Sequence, residues 1–416
     1  MTLIRLVESK AVQVALRDRQ ALELAILGRQ LAMSRSSSDM DEESGATVIR
    51  CTPLSHDRWS VFVDNAVGII AVADLQIVVE PKIPLEHLIF LFEKANLIPR
   101  LDKRPITVSA SSTLLELVAR WFLSTLEVLF RDDLLHDYRE ERDAIRVLRG
   151  SLDVPGSVGL YYSGRPLFSC FYEQYDADTP LNRLLKAATE RLASSGVFPE
   201  DLRRRSRLLA RRFVGVGTLQ HRDPQATTDR RTAVYADAIM LAKLLLAGES
   251  RSIESGSRRA WAFLLPTPYA VQSAITKLIS EYLSDCTTAH PASISLGAGL
   301  TANPDLVFDT FNAVGDVKYK VLDGRWKRDD LYQAVAFACA LESSDASILT
   351  FARQQRDVPP IATFGQLRIT PIAWLADSSL EASIAARLFC EEIKRWLFAV
   401  PHENVTDELP ASILNT

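Results

Sequence analysis

Residues 303–320, NPDLVFDTFNAVGDVKYK, set Asp305, Asp316 and Lys318 inside strand-like apolar runs, and a fold can bury such charges only if they meet partners. The segments DLVFD (305–309) and AVGDVKYK (313–320) are short, rich in β-formers and parted by a turn, so they predict a two-stranded hairpin. Alternation sends Val314, Asp316 and Lys318 to one face, and Val317 and Tyr319 to the other. Asp305, at the head of the first strand, can then approach Asp316 across the ladder. Two carboxylates held close repel unless a cation lies between them, and hard oxygen donors suit Mg²⁺ or Mn²⁺, ions that keep waters for substrate phosphates. A Lys318 ammonium beside metal-bound water would orient or help deprotonate it, and would offset charge on the attacked phosphate. That combination suits phosphodiester hydrolysis, although a plain hairpin with a surface ion pair has the same spacing. Downstream, RDDLYQAVAFACALE begins with Asp329 and Asp330 as cap candidates and continues as a helix with Tyr332 and Gln333 near its start. A strand, hairpin and helix in that order would back a metal-binding strand with polar helix residues, or simply cap a helix.

A chain of 416 residues with 47% hydrophobic content can bury a large core and predicts two or three domains. Its five cysteines (Cys51, Cys170, Cys286, Cys339, Cys390) form no CxxC pair, which argues for reduced thiols and against a zinc site, and the six histidines are as scattered. No apolar stretch reaches the roughly 20 residues that span a bilayer, so a soluble, cytoplasmic protein is expected. A net charge of −4 does not advertise nucleic-acid binding. If DNA is the substrate, basic residues must be concentrated locally or supplied by another chain. No P-loop GxxxxGK[ST] occurs, so the chain itself is not expected to hydrolyse nucleotide.

Along the chain, the expected fold is mixed α+β and α/β in three parts. Residues 1–110 form a strand-rich module from ATVIRC, RWSVFVDNAVGIIAV and LQIVVEPKI, with a mobile loop at 34–46 and turn residues at Asp64-Asn65. Residues 111–259 form a helical middle region. Its first helix, 112–130, has Ser111 or Ser112 as cap; 150–172 reads as a hairpin; and Asp178 or Thr179, followed by Pro180, starts another helix. The next, EDLRRRSRLLARRF, carries Arg203, Arg204, Arg205, Arg207, Arg211 and Arg212. These are either a solvated face paired with nearby carboxylates or a patch for DNA phosphates or a partner. A helix at 235–248 ends at Gly248, ESRSIESGSRR (249–259) reads as a hydrophilic linker, and a boundary is placed near residue 260. Residues 260–416 form the last domain, opening with a helix at 269–285 whose stripe is Val271, Ala274, Ile275, Leu278 and Tyr282.

The segments PDLVF, GDVKYK and DLYQAVAFA resemble the PD-(D/E)xK nuclease motif as it occurs in McrC, the nuclease subunit of McrBC modification-dependent restriction systems. VGIIAVADLQIVVEPKI, ending at Pro81-Lys82, is similar to the amino-terminal McrC signature, and RGSLDV with CFYEQYDADTPLNRLLKAATERL to its central region, in the family's order. The resemblance implies a restriction-endonuclease-like C-terminal domain with a central mixed sheet flanked by helices. It further implies Mg²⁺-dependent (or Mn²⁺-dependent) cleavage of modified DNA and a McrB-like AAA+ GTPase partner, whose GTP hydrolysis the amino-terminal part stimulates. GTP would enter only through that partner, and the sequence leaves open whether two nuclease subunits must meet for a double-strand cut. Carried over, Asp305 and Asp316 would be metal ligands with the Val317 carbonyl as a third, Lys318 the water-positioning cation, Gln333 a catalytic neighbour, and Tyr332 beside it. Two positions depart from the pattern. Where relatives place an acidic residue on the helix before the first core strand, Gln272 and Thr276 fall, with Glu281 out of register; and the Gln-xxx-Tyr pattern ends in Phe337. The alternatives are a GTPase-activating scaffold with a vestigial site, and a stand-alone DNA-repair nuclease.

Overall fold

The structure is a computed structural model that describes residues 2–35, 48–55, 58–72, 74–99, 113–247, 253–255, 258–297 and 299–399. It divides into two compact units, Met1–Glu80 with Ile98–Leu265, and Pro81–Leu97 with Pro266–Thr416. No described helix is long and apolar enough to cross a membrane.

In the first unit, Val- and Ile-rich segments build two sheets. The larger runs in the order Thr2–Val7, Leu75–Glu80, Ala66–Val72, Arg258–Pro266, Ile253–Ser255, with the first pair parallel. The smaller is an antiparallel trio of Val12–Ala15, Arg58–Val63 and Ile49–Ser55. Asp64 and Asn65 do make a turn, with Asn65 at φ 45°, but it passes the chain from one sheet to the other. Leu24 and Leu27 of helix Asp18–Arg35 close the core over Val61, Ile70 and Ile77. The expected loop at 34–46 lies outside the described residues beyond Arg35.

The linker expected at 249–259 is corrected where it is described, while the two units divide between Leu265 and Pro266, beside the boundary expected near residue 260. Residues 253–255 and 258–266 form an antiparallel hairpin that extends the first unit's sheet instead of linking two domains. Gly68 makes that pairing possible: at φ +147°, a Cβ there would lie 1.9 Å from the Phe263 carbonyl oxygen. Ile253–Ser255 is the edge strand of that sheet, and a short polar edge strand cannot be told from a linker by composition.

The middle region mixes helices with strands. Leu114–Leu129 is capped by Thr113, whose hydroxyl accepts from the Glu116 N–H; Ser111 and Ser112 lie outside the described residues. Thr179 caps Pro180–Ser194 by accepting from Asn182 N–H. Asp178 instead accepts from Arg139 and Arg183. These helices pack with Glu200–Ala210 and Ala236–Ala247. The hairpin expected at 150–172 is also corrected: strand Ser151–Leu152 is followed by helix Val154–Tyr162, capped by Asp153, before strand Phe168–Asp176. That strand pairs antiparallel with Asp137–Ile145 along its whole length. Gly and Pro punctuation marked the turns there without revealing the helix between them.

The second unit holds a six-stranded mixed sheet in the order Ala289–His290, Leu306–Phe308, Ala313–Val321, Asp345–Ala352, Leu367–Leu375, Ala362–Phe364. The three central strands are parallel and the outer pairings antiparallel. Helix Arg328–Ala340 covers one face through Ala334, Phe337 and Ala338 against Val314, Ile348 and Ile369. Helices Pro268–Tyr282, Ala382–Ala399 and Leu85–Lys94 pack on one another beside the same sheet. The expected stripe on the first of these is buried at Val271, Ala274, Ile275 and Leu278, while Tyr282 is partly exposed. Residues 85–94, which fall within the span expected to be a strand-rich amino-terminal module, instead form this helix in the second unit. Buried His87 accepts from the Trp374 indole N–H at 2.9 Å, which leaves its Nε2–H to donate to the Asp377 and Leu380 carbonyls, each 3.0 Å away. An amphipathic pattern shows that a helix has an apolar face but not which core receives it.

Candidate active site

The expected hairpin forms. Leu306–Phe308 pairs antiparallel with Ala313–Val321, Leu306 opposite Gly315 and Phe308 opposite Ala313. A single 3-10 turn, Asp309–Phe311, and Asn312 in the left-handed conformation close it. This register places Asp305 at the strand mouth, where its Oδ2 accepts from the Val317 N–H at 2.7 Å. Asp316 points to the same opening and is 2% exposed. The two carboxyl groups lie within hydrogen-bonding reach of each other.

Lys318 completes the group. Its Nζ lies 2.9 Å from Asp316 Oδ2 and donates to Gln333 Oε1 at 2.8 Å. The Asp316 contact is ionic, since that buried oxygen has no partner at hydrogen-bonding angles. Gln333 comes from the first two turns of helix Arg328–Ala340, on the face that also offers Asp330 to Lys320 at 2.5 Å. Asp305, Asp316, Lys318 and Gln333 therefore converge, with the Val317 backbone between the carboxylates. Tyr332, 62% exposed, takes no part in these contacts.

The electrostatics follow from the burial. Burial, then the charge of Asp316, push the Asp305 carboxyl up to about 7. Burial also raises Asp316, against the pull of Lys318. Charge is being held where it is costly, and a cation between the carboxylates would relieve it. Among the described residues no three His, Cys, Asp or Glu side chains cluster as a metal site. An ion here would draw on Asp305, Asp316 and the Val317 carbonyl, and the Asp316 Oδ2, held only by its ionic contact with Lys318, fits that role. Hard oxygen donors in this number match Mg²⁺ or Mn²⁺, which retain water ligands.

One neighbour was noted from sequence only as a departure. The Gln272 amide donates to Asp305 Oδ1, so the helix before the first core strand does deliver a side chain to the site, but a neutral one. Glu281 is on the same helix and pairs instead with Lys94 at 3.4 Å. Lys320, two residues beyond Lys318 on the same face, also escaped notice, although the alternation that selected Lys318 selects it too.

The six arginines belong to the other unit. Arg203 and Arg207 pair with Glu200, Arg205 with Glu127, and Arg212 donates to the Phe130 carbonyl while lying 4.4 Å from its ring. Arg204 and Arg211 are exposed.

Comparison with known proteins agrees with the motifs. A family model described as "McrBC 5-methylcytosine restriction system component" matches residues 61–352, a span that includes Asp305, Asp316, Lys318 and Gln333. The chain belongs to that McrBC family. None of the curated proteins matches it closely enough to count as a relative. Among solved structures, a chain of the tetradecameric assembly of Thermococcus gammatolerans McrB AAA+ hexamers with bound McrC is similar at a TM-score of 0.69 and 16% identity, covering 95% of this chain and 100% of that one. This likeness speaks for a shared McrBC-family fold. A chain of the Thermococcus gammatolerans McrBC complex is more distant, at a TM-score of 0.47 and 17% identity over 68% of this chain and 88% of that one.

Proposed function

We propose that this chain is the McrC-like nuclease subunit of a McrBC system, hydrolysing DNA phosphodiesters with Mg²⁺ in complex with a McrB-like AAA+ GTPase whose activity it stimulates. The observation that carries the reading is the convergence of Asp305, Asp316, Lys318 and Gln333 around one opening. A restriction-endonuclease-like arrangement accounts for the mixed sheet with this hairpin within it. The partner is inferred from family membership and from the likeness to an assembly of McrB hexamers with bound McrC.

A bound divalent ion would supply Lewis-acid activation of water and neutralise charge on the phosphate. The chain's own residues do the rest. Asp305 and Asp316 would hold the ion, with the Val317 carbonyl completing the protein donors. Gln333 fixes the Lys318 side chain, whose ammonium orients the attacking water and donates to a non-bridging phosphate oxygen. As the water oxygen bonds to phosphorus it gives up a proton to solvent, the phosphorus–oxygen ester bond breaks, and the leaving alkoxide takes a proton from solvent.

The test uses modified and unmodified plasmid DNA with Mg²⁺, with and without the co-encoded GTPase and GTP. Asp316→Ala or Lys318→Ala should abolish cleavage while leaving GTPase stimulation intact. Undiminished cutting by either variant would remove the assignment. A wild-type chain that stimulates GTP hydrolysis but cuts nothing would mark it as a scaffold, a reading favoured only by the neutral Gln272.

A further inference from the structure

Strands Ala313–Val321 and Asp345–Ala352 pair in register from Val314 opposite Ala346 to Val317 opposite Leu349, and resume at Val321 opposite Phe351. Four steps along one strand answer two along the other, so Lys318, Tyr319 and Lys320 lie in a bulge. A bulge frees backbone groups from the ladder, and buried ones need another partner. Tyr319 is 6% exposed. Its carbonyl oxygen accepts from Lys82 Nζ at 3.1 Å, and the same ammonium lies 4.5 Å from the centroid of its ring. Lys82 stands in the segment Pro81–Leu97, which packs in the same unit as the sheet and is pinned there by His87.

The bulge bears both lysines that reach across to helix Arg328–Ala340, Lys318 to Gln333 and Lys320 to Asp330. In a regular ladder the backbone of 318–320 would be fixed by the neighbouring strand. Here it is fixed at Tyr319 by a side chain from more than 200 residues upstream. We propose that Lys82 is a positioning residue for the active site: it clamps the Tyr319 carbonyl, holds the 318–320 bulge, and so sets the Lys318 ammonium against Asp316 and Gln333. The effect on cleavage rests on the nuclease reading; the effect on the strand does not.

The full chain is compared with Lys82→Met, Lys82→Gln and Lys82→Arg in two measurements. In cleavage with the GTPase partner, Lys82→Met should lower kcat by about 10- to 100-fold, the scale of a misplacement near 1 Å, and leave KM for DNA within about twofold. Lys82→Arg, which can still donate to a carbonyl, should return kcat to within a few fold. Because Lys82 acts through the Lys318–Gln333 contact, Lys82→Met combined with Gln333→Ala should cost less than the product of the two single losses. In hydrogen exchange, amides of 318–321 should exchange at least about tenfold faster in Lys82→Met, with 345–352 unchanged. Unchanged exchange, or single losses that multiply fully, would overturn the proposal. If wild type cuts no DNA, the nuclease reading fails and exchange alone decides the role of Lys82. Should Lys82→Met not fold, Lys82→Gln against Lys82→Arg makes the same comparison, and equal behaviour of those two would overturn it.

Discussion

Asp305→Asn should make the metal-free protein more stable, even though it deletes a proposed metal ligand. In the native chain the Asp305 carboxyl is raised to about 7 from an ordinary 3.8, by burial and by Asp316. A group whose folded pKa is raised carries no penalty below its unfolded pKa, and loses stability as pH rises through the folded one. The window therefore runs from about pH 4 to pH 7. A shift of this size corresponds to at most about 4 kcal/mol at pH 8, at 1.36 kcal/mol per unit, and to about half of that at pH 5.5. Relaxation and water entry reduce the gain to roughly 2 kcal/mol at pH 8. An asparagine keeps the geometry, because its carbonyl can accept from the Val317 N–H and its amide can donate to Gln272 once that side chain turns its oxygen inward. At about 2–4 °C per kcal/mol, the melting temperature in chelator should rise by about 4–8 °C at pH 8, and by less at pH 5.5. Thermal unfolding followed by tryptophan fluorescence measures this, with and without Mg²⁺. Wild type should gain stability on adding Mg²⁺ and Asp305→Asn should gain little. A variant less stable than wild type at pH 8, or a gain that does not grow with pH, would refute the electrostatic reasoning. A full Mg²⁺ response in the variant would remove Asp305 from the ligand set.

Two further outcomes are expected. Gln272→Glu places a third carboxylate on Asp305 Oδ1, so it should destabilise the metal-free protein by about 1–3 kcal/mol and tighten Mg²⁺ binding; calorimetric titration that finds weaker Mg²⁺ binding would show that Gln272 faces away from the ion. Replacing Arg325, Lys327 and Arg328 by alanine, in a Lys318→Ala background that does not cut, should reduce the slope of log K against log salt for duplex DNA by about 2–3, since all three are exposed next to Trp326 and the bulge. The double change Arg204→Ala, Arg211→Ala should alter that slope less, and the reverse order would return DNA contact to the arginine helix.

What could be read from sequence was whatever depends on local spacing. The hairpin at 305–320 was legible because strand alternation and a turn fix which side chains share a face, and the same rule brought Asp316 and Lys318 together. The cap at Thr179 was legible because Pro180 marks a first helical turn. Contacts between distant segments left no comparable trace. Nothing in PKIPLEHLIFLFEK says that His87 will accept from Trp374 or that Lys82 will reach Tyr319, because only the tertiary fold defines those partners. The polar run at 249–259 misled for a related reason: a short edge strand and a linker can share a composition, and only Gly68 at the facing position records how closely the backbone of 258–266 approaches.

The arrangement at 305–318 works against stability in the free chain, and the surrounding contacts show how it persists. Two carboxyl groups, one buried and one half-buried, would separate if the backbone could yield, yet Asp305 is tied to the Val317 N–H and Gln272, and Asp316 sits on a central strand paired on both sides. The strand relaxes only past Val317, at the bulge, where Lys82 takes up the freed carbonyl. The ladder thus fixes the carboxylates, while Lys318 depends on the separate contact at the bulge. That division suits a site whose acidic half must wait for an ion and whose basic half must meet a phosphate that varies in approach. It also predicts an asymmetry among variants: changes that loosen the carboxylates should lower Mg²⁺ affinity, whereas changes at the bulge should lower turnover and leave Mg²⁺ affinity nearly untouched.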